Sequence, residues 1–278
     1  MKNKGFPMEE KEYTVGSGTI HYWVSCQDAE LPWLVFLPGL TADHTLFEKQ
    51  IEFFGPIYNC LVWDAPGHGS SRPFALTFSM EDLADYLQGI FELEKIRRAV
   101  LMGQSFGGYI AQVYYSRYPE KVAAFVSVDS CSLSRKYYSG LELGMMKHTG
   151  WMYRSIPWKL LKKWGIEGTS VTEYGQELME KAWSVYTKKE FCALSDHGYR
   201  IFAQAVEAKD AYGLACPVLL LCGDQDKAGS AKRYNRRWAK EDAHKILWLQ
   251  DAGHNANADV PRITNQVVYD YLRGLEKL

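Results

Sequence analysis

Arg98-Ala99-Val100-Leu101-Met102-Gly103-Gln104-Ser105-Phe106-Gly107-Gly108-Tyr109-Ile110-Ala111 changes character at its centre, where an apolar run of strand length passes directly into a serine flanked by glycines. Residues 99–102 show no alternating polar face, the pattern of a strand buried on both sides. From Phe106 onward the sequence suits a helix, which must end before Pro119. Ser105 therefore falls at a sharp strand-to-helix turn, where the backbone is strained and neighbouring chain crowds the positions two before and two after. Gly103 and Gly107 occupy those positions. A helix starting at Ser105 aims free N–H groups and its positive dipole end at any oxyanion formed there. A G-x-S-x-G pattern alone is weak evidence; its setting between a buried strand and a helix makes it specific.

Outward from this turn, strand-like runs at 33–37, 58–63, 99–102, 123–128, 217–222 and 245–249 alternate with amphipathic segments. That alternation predicts an α/β fold with a mostly parallel central sheet flanked by helices. Two earlier runs, 12–15 and 20–26, read as antiparallel strands turned by Gly16-Ser17-Gly18. Ser79 with Asp82 forms a capping-box pattern, and Leu83, Leu87, Ile90 and Phe91 then share one helix face. Near the end, Asp259 precedes Pro261 at a first-turn position, and Ile263, Val267 and Tyr271 recur every four residues on one predicted face. The stretch 132–198 breaks the alternation: it has no strand-like run and is dense in Trp, Tyr and Met. It is expected to be an inserted helical cap, or lid, over a core formed by 1–131 and 199–278. No internal repeat or low-complexity linker is present.

Composition narrows the function class. The 278 residues carry 32 Lys plus Arg and 33 Asp plus Glu, a net charge of -1, and 47% hydrophobic residues. This balance gives no footprint for nucleic acid or an anionic membrane surface. Lys232-Arg233 and Arg236-Arg237 read as the solvated face of a helix. The opening residues lack an apolar run of signal-peptide length, and no stretch approaches the ~20 apolar residues of a membrane span. The six cysteines show no C-x-x-C pair and no metal-ligand spacing. A protein of the reducing cytoplasm, without membrane insertion, is the expectation. Oligomeric state has no readable signature here.

With these motifs in order, the chain resembles the α/β-hydrolase superfamily, in its lidded branch with a serine nucleophile. Leu37-Pro38-Gly39-Leu40 follows a buried strand where relatives usually carry a His-Gly turn. The resemblance implies that the Leu40 N–H joins the Phe106 N–H as an oxyanion hole. Pro38 replaces the usual His and leaves the backbone donor intact. Trp63-Asp64-Ala65-Pro66-Gly67-His68-Gly69-Ser70-Ser71 matches a turn that is mainly structural in relatives, despite the tempting pair Asp64 and His68. The general base should follow the last strand, where Gly253-His254 fits a tight turn. An imidazole is needed there because its pKa lies near neutrality. The third member is an acid that holds one imidazole tautomer. Family order places it between Ser105 and His254. The segment Gly223-Asp224-Gln225-Asp226 selects Asp226, with Asp224 and Asp129 as alternatives.

The implied reaction is cleavage of a carboxylic ester, or a related acyl compound, of a mainly apolar small molecule through an acyl-enzyme on Ser105. Lactone, amide, thioester or C–C bond cleavage and acyl transfer use much the same triad. A ligand-binding protein on a retained hydrolase fold is a further class. No cofactor and no metal is expected. Tyr137, Met145, Met146, Trp151, Trp158 and Trp183 are the candidate pocket walls, since ligand pockets are mostly apolar and aromatic. Cys131 is expected near the rim without acting as a nucleophile, having no base or cation beside it in sequence.

Overall fold

The sheet begins with a hairpin in a computed structural model that describes residues 6–208 and 212–275. Strands β1 (Glu9–Val15) and β2 (Gly18–Ser25) pair antiparallel. β1 starts earlier than the hydrophobic pattern suggests because it is an edge strand, and Glu9, Glu10 and Lys11 suit an open edge. Then follow β3 (Trp33–Leu37), β4 (Asn59–Trp63), β5 (Ala99–Gln104), β6 (Val122–Val128), β7 (Val218–Gly223) and β8 (Lys245–Leu249). Among the described residues these form one eight-stranded sheet in the order β1-β2-β4-β3-β5-β6-β7-β8. β2 pairs antiparallel with β4, and every later pairing is parallel.

The pleat divides the apolar residues between two layers. Val35, Leu37, Leu101, Phe125 and Leu220 pack with the helices Met80–Leu93 and Phe106–Arg117. Leu34, Phe36, Val100, Met102 and Val126 pack on the other side with Glu48–Phe54 and Pro261–Arg273. The helix Met80–Leu93 carries the expected capping box and buries Leu83, Leu87, Ile90 and Phe91. The last helix departs from expectation. Its buried face is Thr264, Asn265, Val268 and Leu272, while Ile263 is exposed. The polar members of that face conceal it from a hydrophobic pattern: Asn265 accepts from Gln50 and donates to the Lys49 carbonyl.

Between β6 and β7 lie the helices Gly140–Met146, Thr149–Ser155, Trp158–Thr169, Glu173–Ser184 and Lys188–Glu207. The last runs through Gly198, where the sequence suggests a return to the core. Gly198 serves packing instead: a Cβ there would lie 2.5 Å from Leu40 Cδ1. These helices thus approach the loop after β3. Among the described residues, no helix is long and apolar enough to cross a membrane.

Candidate active site

Ser105 stands between β5 and the helix Phe106–Arg117 with φ 48° and ψ -115°. A non-glycine residue with this backbone is strained, and the surrounding packing must hold it there. A Cβ on Gly107 would collide with the Leu37 carbonyl, and one on Gly103 would lie 2.5 Å from the Gly108 nitrogen. Gly39 meets the same turn from the β3 side, where a Cβ would strike the Gln104 side chain and come within 3.2 Å of Ser105 Cβ. The loop 38–40 can therefore lie flush against the serine turn. Among the described residues, neither the Leu40 nor the Phe106 amide donates to a protein acceptor. Both residues line the cavity at Ser105.

The loop after β8 brings His254 over Ser105. His254 Nε2 lies 2.8 Å from Ser105 Oγ, and Nδ1 lies 3.0 Å from Asp226 Oδ2. Asp226 Oδ1 accepts from the Ala228 amide at 2.7 Å. Gln104, whose partner 150 residues away no local pattern reveals, donates to the His254 carbonyl at 2.8 Å and ties the two loops together. Asp224 and Asp129 do not meet the imidazole. Asp224 Oδ1 accepts from Ala252, as a turn residue does, and Asp129 accepts from the amides of Gly223 and Ala256. Asp64 accepts from the amides of His44 and Ser70 and lies 3.0 Å from His44 Nδ1, so it ties its turn to the segment after β3, while His68 Nδ1 faces the Pro66 carbonyl within the turn.

Burial alone would lower the His254 pKa. The Asp226 carboxylate, by charge and by hydrogen bond, and the more distant Asp129 outweigh it, so the imidazole titrates above its ordinary 6.5. Burial, and then the Asp226 charge, push the Asp129 carboxyl well above the usual carboxylate range. Asp129, Cys222 and Asp226 offer donor atoms within 4.8 Å of one another. The Asp129 and Asp226 oxygens are already engaged with amides and with His254, which accounts for the cluster as a support of the histidine.

A cavity of about 390 Å³ opens beside Ser105 and His254. Of the six residues proposed as its walls, Met146 and Trp183 line it. Tyr137, Met145, Trp151 and Trp158 do not. Met145 and Trp151 are exposed, Tyr137 is buried beneath Lys136 and Arg237, and Trp158 packs its ring on Phe191. The aromatic walls include Tyr109, Tyr138, Tyr153, Phe191 and Phe202 instead. Phe191, Ser195 and Phe202 share one face of Lys188–Glu207, a period a helical reading of that segment could have found. Lys227 is the one Lys or Arg among the described lining residues, and its side chain is exposed. Cys131 also lines the cavity; burial pushes its thiol far above the ordinary range, which disfavours the reactive thiolate.

Residues 32–261 match the family model described as alpha/beta hydrolase fold. A putative 2-succinyl-6-hydroxy-2,4-cyclohexadiene-1-carboxylate synthase of Haemophilus influenzae is 26% identical over 238 residues, 81% of this chain and 91% of that protein. An (E)-2-((N-methylformamido)methylene)succinate hydrolase of Acinetobacter baylyi is 23% identical, covering 91% of this chain and 94% of that one. The crystal structure of the enol-lactonase from Burkholderia xenovorans LB400 superposes with a TM-score of 0.72 at 20% identity, covering 95% of this chain and 100% of the other.

Proposed function

The chain belongs to the α/β-hydrolase family, and from that premise we propose that it cleaves carboxylic esters of mainly apolar small molecules through an acyl-enzyme on Ser105. The observation that carries this reading is the continuous contact from Asp226 through His254 to Ser105, at 3.0 and 2.8 Å. Ser105 Oγ attacks the acyl carbon while His254 Nε2 takes its proton. The resulting oxyanion receives hydrogen bonds from the Leu40 and Phe106 amides. The imidazolium, stabilised by Asp226, gives its proton to the departing alkoxide, and the alcohol leaves. Water then attacks the acyl-enzyme, losing a proton to His254, and the carboxylic acid leaves as Ser105 recovers its proton.

The helices between β6 and β7 act in this reading as a cap that sets the substrate. Met146, Trp183, Phe191 and Phe202 favour an apolar acyl or alcohol group. Lactone hydrolysis is the same chemistry on a cyclic ester. C–C bond cleavage beside a ketone and acyl transfer would use the same three side chains, and they stand as competing outcomes because one fold hosts several reactions. A panel of esters, lactones and diketones, assayed with wild type and Ser105→Ala, separates these. Turnover of esters that vanishes in the variant supports the proposal. Diketone cleavage without ester turnover replaces it with C–C hydrolysis, and binding without turnover of any compound replaces it with a ligand-binding role.

A further inference from the structure

Both neighbours of His254 in the chain are fastened to one short segment of the cap. Gly253 donates its amide to Asp259 Oδ2 at 2.8 Å. The same carboxylate receives the Val171 amide at 3.1 Å on Oδ2, and on Oδ1 the Thr172 amide at 3.1 Å and the Thr172 hydroxyl at 2.7 Å. On the other side of the histidine, the Asn255 amide donates to the Thr169 carbonyl at 2.8 Å and Asn255 Nδ2 to Ser170 Oγ at 3.0 Å. Residues 169–172 form the turn between the cap helices Trp158–Thr169 and Glu173–Ser184. Thr169 and Asn255 both line the cavity.

Asp259 is buried, and its sequence position before Pro261 suggests helix capping. Its carboxylate serves the cap turn instead. A carboxylate is an acceptor only, and the Gly253, Val171 and Thr172 groups that meet it are N–H or O–H donors. Hydrogen bonds to an ionised acceptor are the strong ones. Packing leaves the group little freedom, since a Cβ on Gly175 would lie 2.6 Å from Oδ1. We propose that Asp259 is a positioning residue, which locks the His254 loop to the cap turn 169–172 so that the imidazole is aimed at Ser105 only while the cap is docked. This rests on the Ser105–His254–Asp226 reading. Misplacement of a base by about 1 Å is enough to cost on the order of a hundredfold in rate, so the lock acts on kcat.

The test compares wild type, Asp259→Asn and Thr172→Val with a p-nitrophenyl ester, with rates expressed per site labelled to completion by a fluorophosphonate. Asp259→Asn keeps the size but turns one acceptor into a donor facing donors. It should lower kcat per labelled site about tenfold or more, with KM nearly unchanged, and shift the acid limb of the pH profile. Thr172→Val removes the cap-side hydroxyl donor to Asp259, and with it the acceptor of the Gly175 amide at the start of the helix Glu173–Ser184. The kcat per labelled site should fall about threefold, while any loss of folded protein from the missing helix cap shows as fewer labelled sites. A purely structural role predicts fewer labelled sites with normal kcat per site and an unmoved acid limb; that result overturns the proposal. Should Asp259→Asn not fold, Thr172→Val decides, and an unchanged kcat overturns it. Wild type that labels at Ser105 while both variants behave normally overturns only the positioning role. Wild type that does not label overturns the nucleophile reading and this one with it.

Discussion

Asp129 and Asp226 bring carboxylate oxygens within 4.8 Å of each other beneath the cavity, yet Asp226 alone touches His254. Asp129 directs its two oxygens at the amides of Gly223 and Ala256, one on the segment leading to Asp226 and one just after His254. One acid orients the imidazole and the other braces the two loops that carry the pair.

Asp226→Asn should therefore lower kcat by roughly 10²- to 10⁴-fold, because a neutral amide favours the wrong imidazole tautomer. Asp129→Asn should act on stability first, lowering Tm, with a smaller effect on kcat, since an NH₂ there would confront a backbone N–H. Steady-state kinetics and thermal melts of the two variants separate the roles. A larger kcat loss in Asp129→Asn would move the triad acid to that residue.

The pH dependence of activity follows from the raised pKa of His254. General-base action needs the neutral imidazole, so kcat/KM should fall as pH drops through a midpoint above 6.5, the ordinary imidazole value. Removing the Asp226 charge withdraws what raised it, so the acid limb of Asp226→Asn should lie at lower pH than that of wild type. A limb that stays in place would mean that Asp226 does not act on the titrating group.

Stability has a different pH dependence, set where the helix Lys188–Glu207 meets the turn that carries His68. His68 and His197 are both buried, and burial lowers both pKa values, His197 to about 4. Around His197 stand Arg200, which also disfavours its charge, Asp196, and the ring of Phe78; around His68 stand Asp64 and Asp43. For a group whose folded pKa is depressed below 6.5, the unfolded chain binds the proton first. Stability is then complete above about pH 6.5 and declines as pH falls toward about 4. His254 opposes this weakly in sign: its raised pKa stabilises below about 6.5 and that contribution is lost above its folded value. Tm should drop between about pH 7.5 and pH 5, and His197→Gln should flatten the drop. An equal slope in that variant would assign the acid sensitivity elsewhere.

The strand-turn-helix around Ser105, the Gly253-His254 turn and the segment ending in Asp226 were legible because each is a local pattern with a steric or chemical reason. The cavity walls were less so. Tyr137 and Trp151 share the composition of a lid, but whether an aromatic faces the cavity depends on helix rotation, which composition does not encode. Trp183 faces in and Trp151 out for that reason. Asn265 and Asp259 show the other limit. Their buried polar groups are satisfied by partners distant in sequence, Gln50 and residues 171–172, so no local window reveals them.

Substrate length probes the walls directly. Each methylene that enters the space bounded by Met146, Trp183 and Phe191 should add about 0.8 kcal/mol of binding, roughly fourfold in kcat/KM, until the cavity is full. A series of p-nitrophenyl esters from acetate upward measures this. Rates falling steadily from acetate onward would show that these side chains pack on one another and leave the acyl chain no room.

The most direct measurement is the turnover of Ser105→Ala beside wild type on a p-nitrophenyl ester, with fluorophosphonate labelling mapped by peptide mass. Loss of a triad nucleophile lowers kcat on the order of 10⁶-fold, with a residual rate from the oxyanion donors. The account predicts a folded variant with that loss, and a label on wild type at Ser105 and at no other residue. A folded Ser105→Ala that kept a tenth of wild-type activity, or a label found elsewhere, would contradict it.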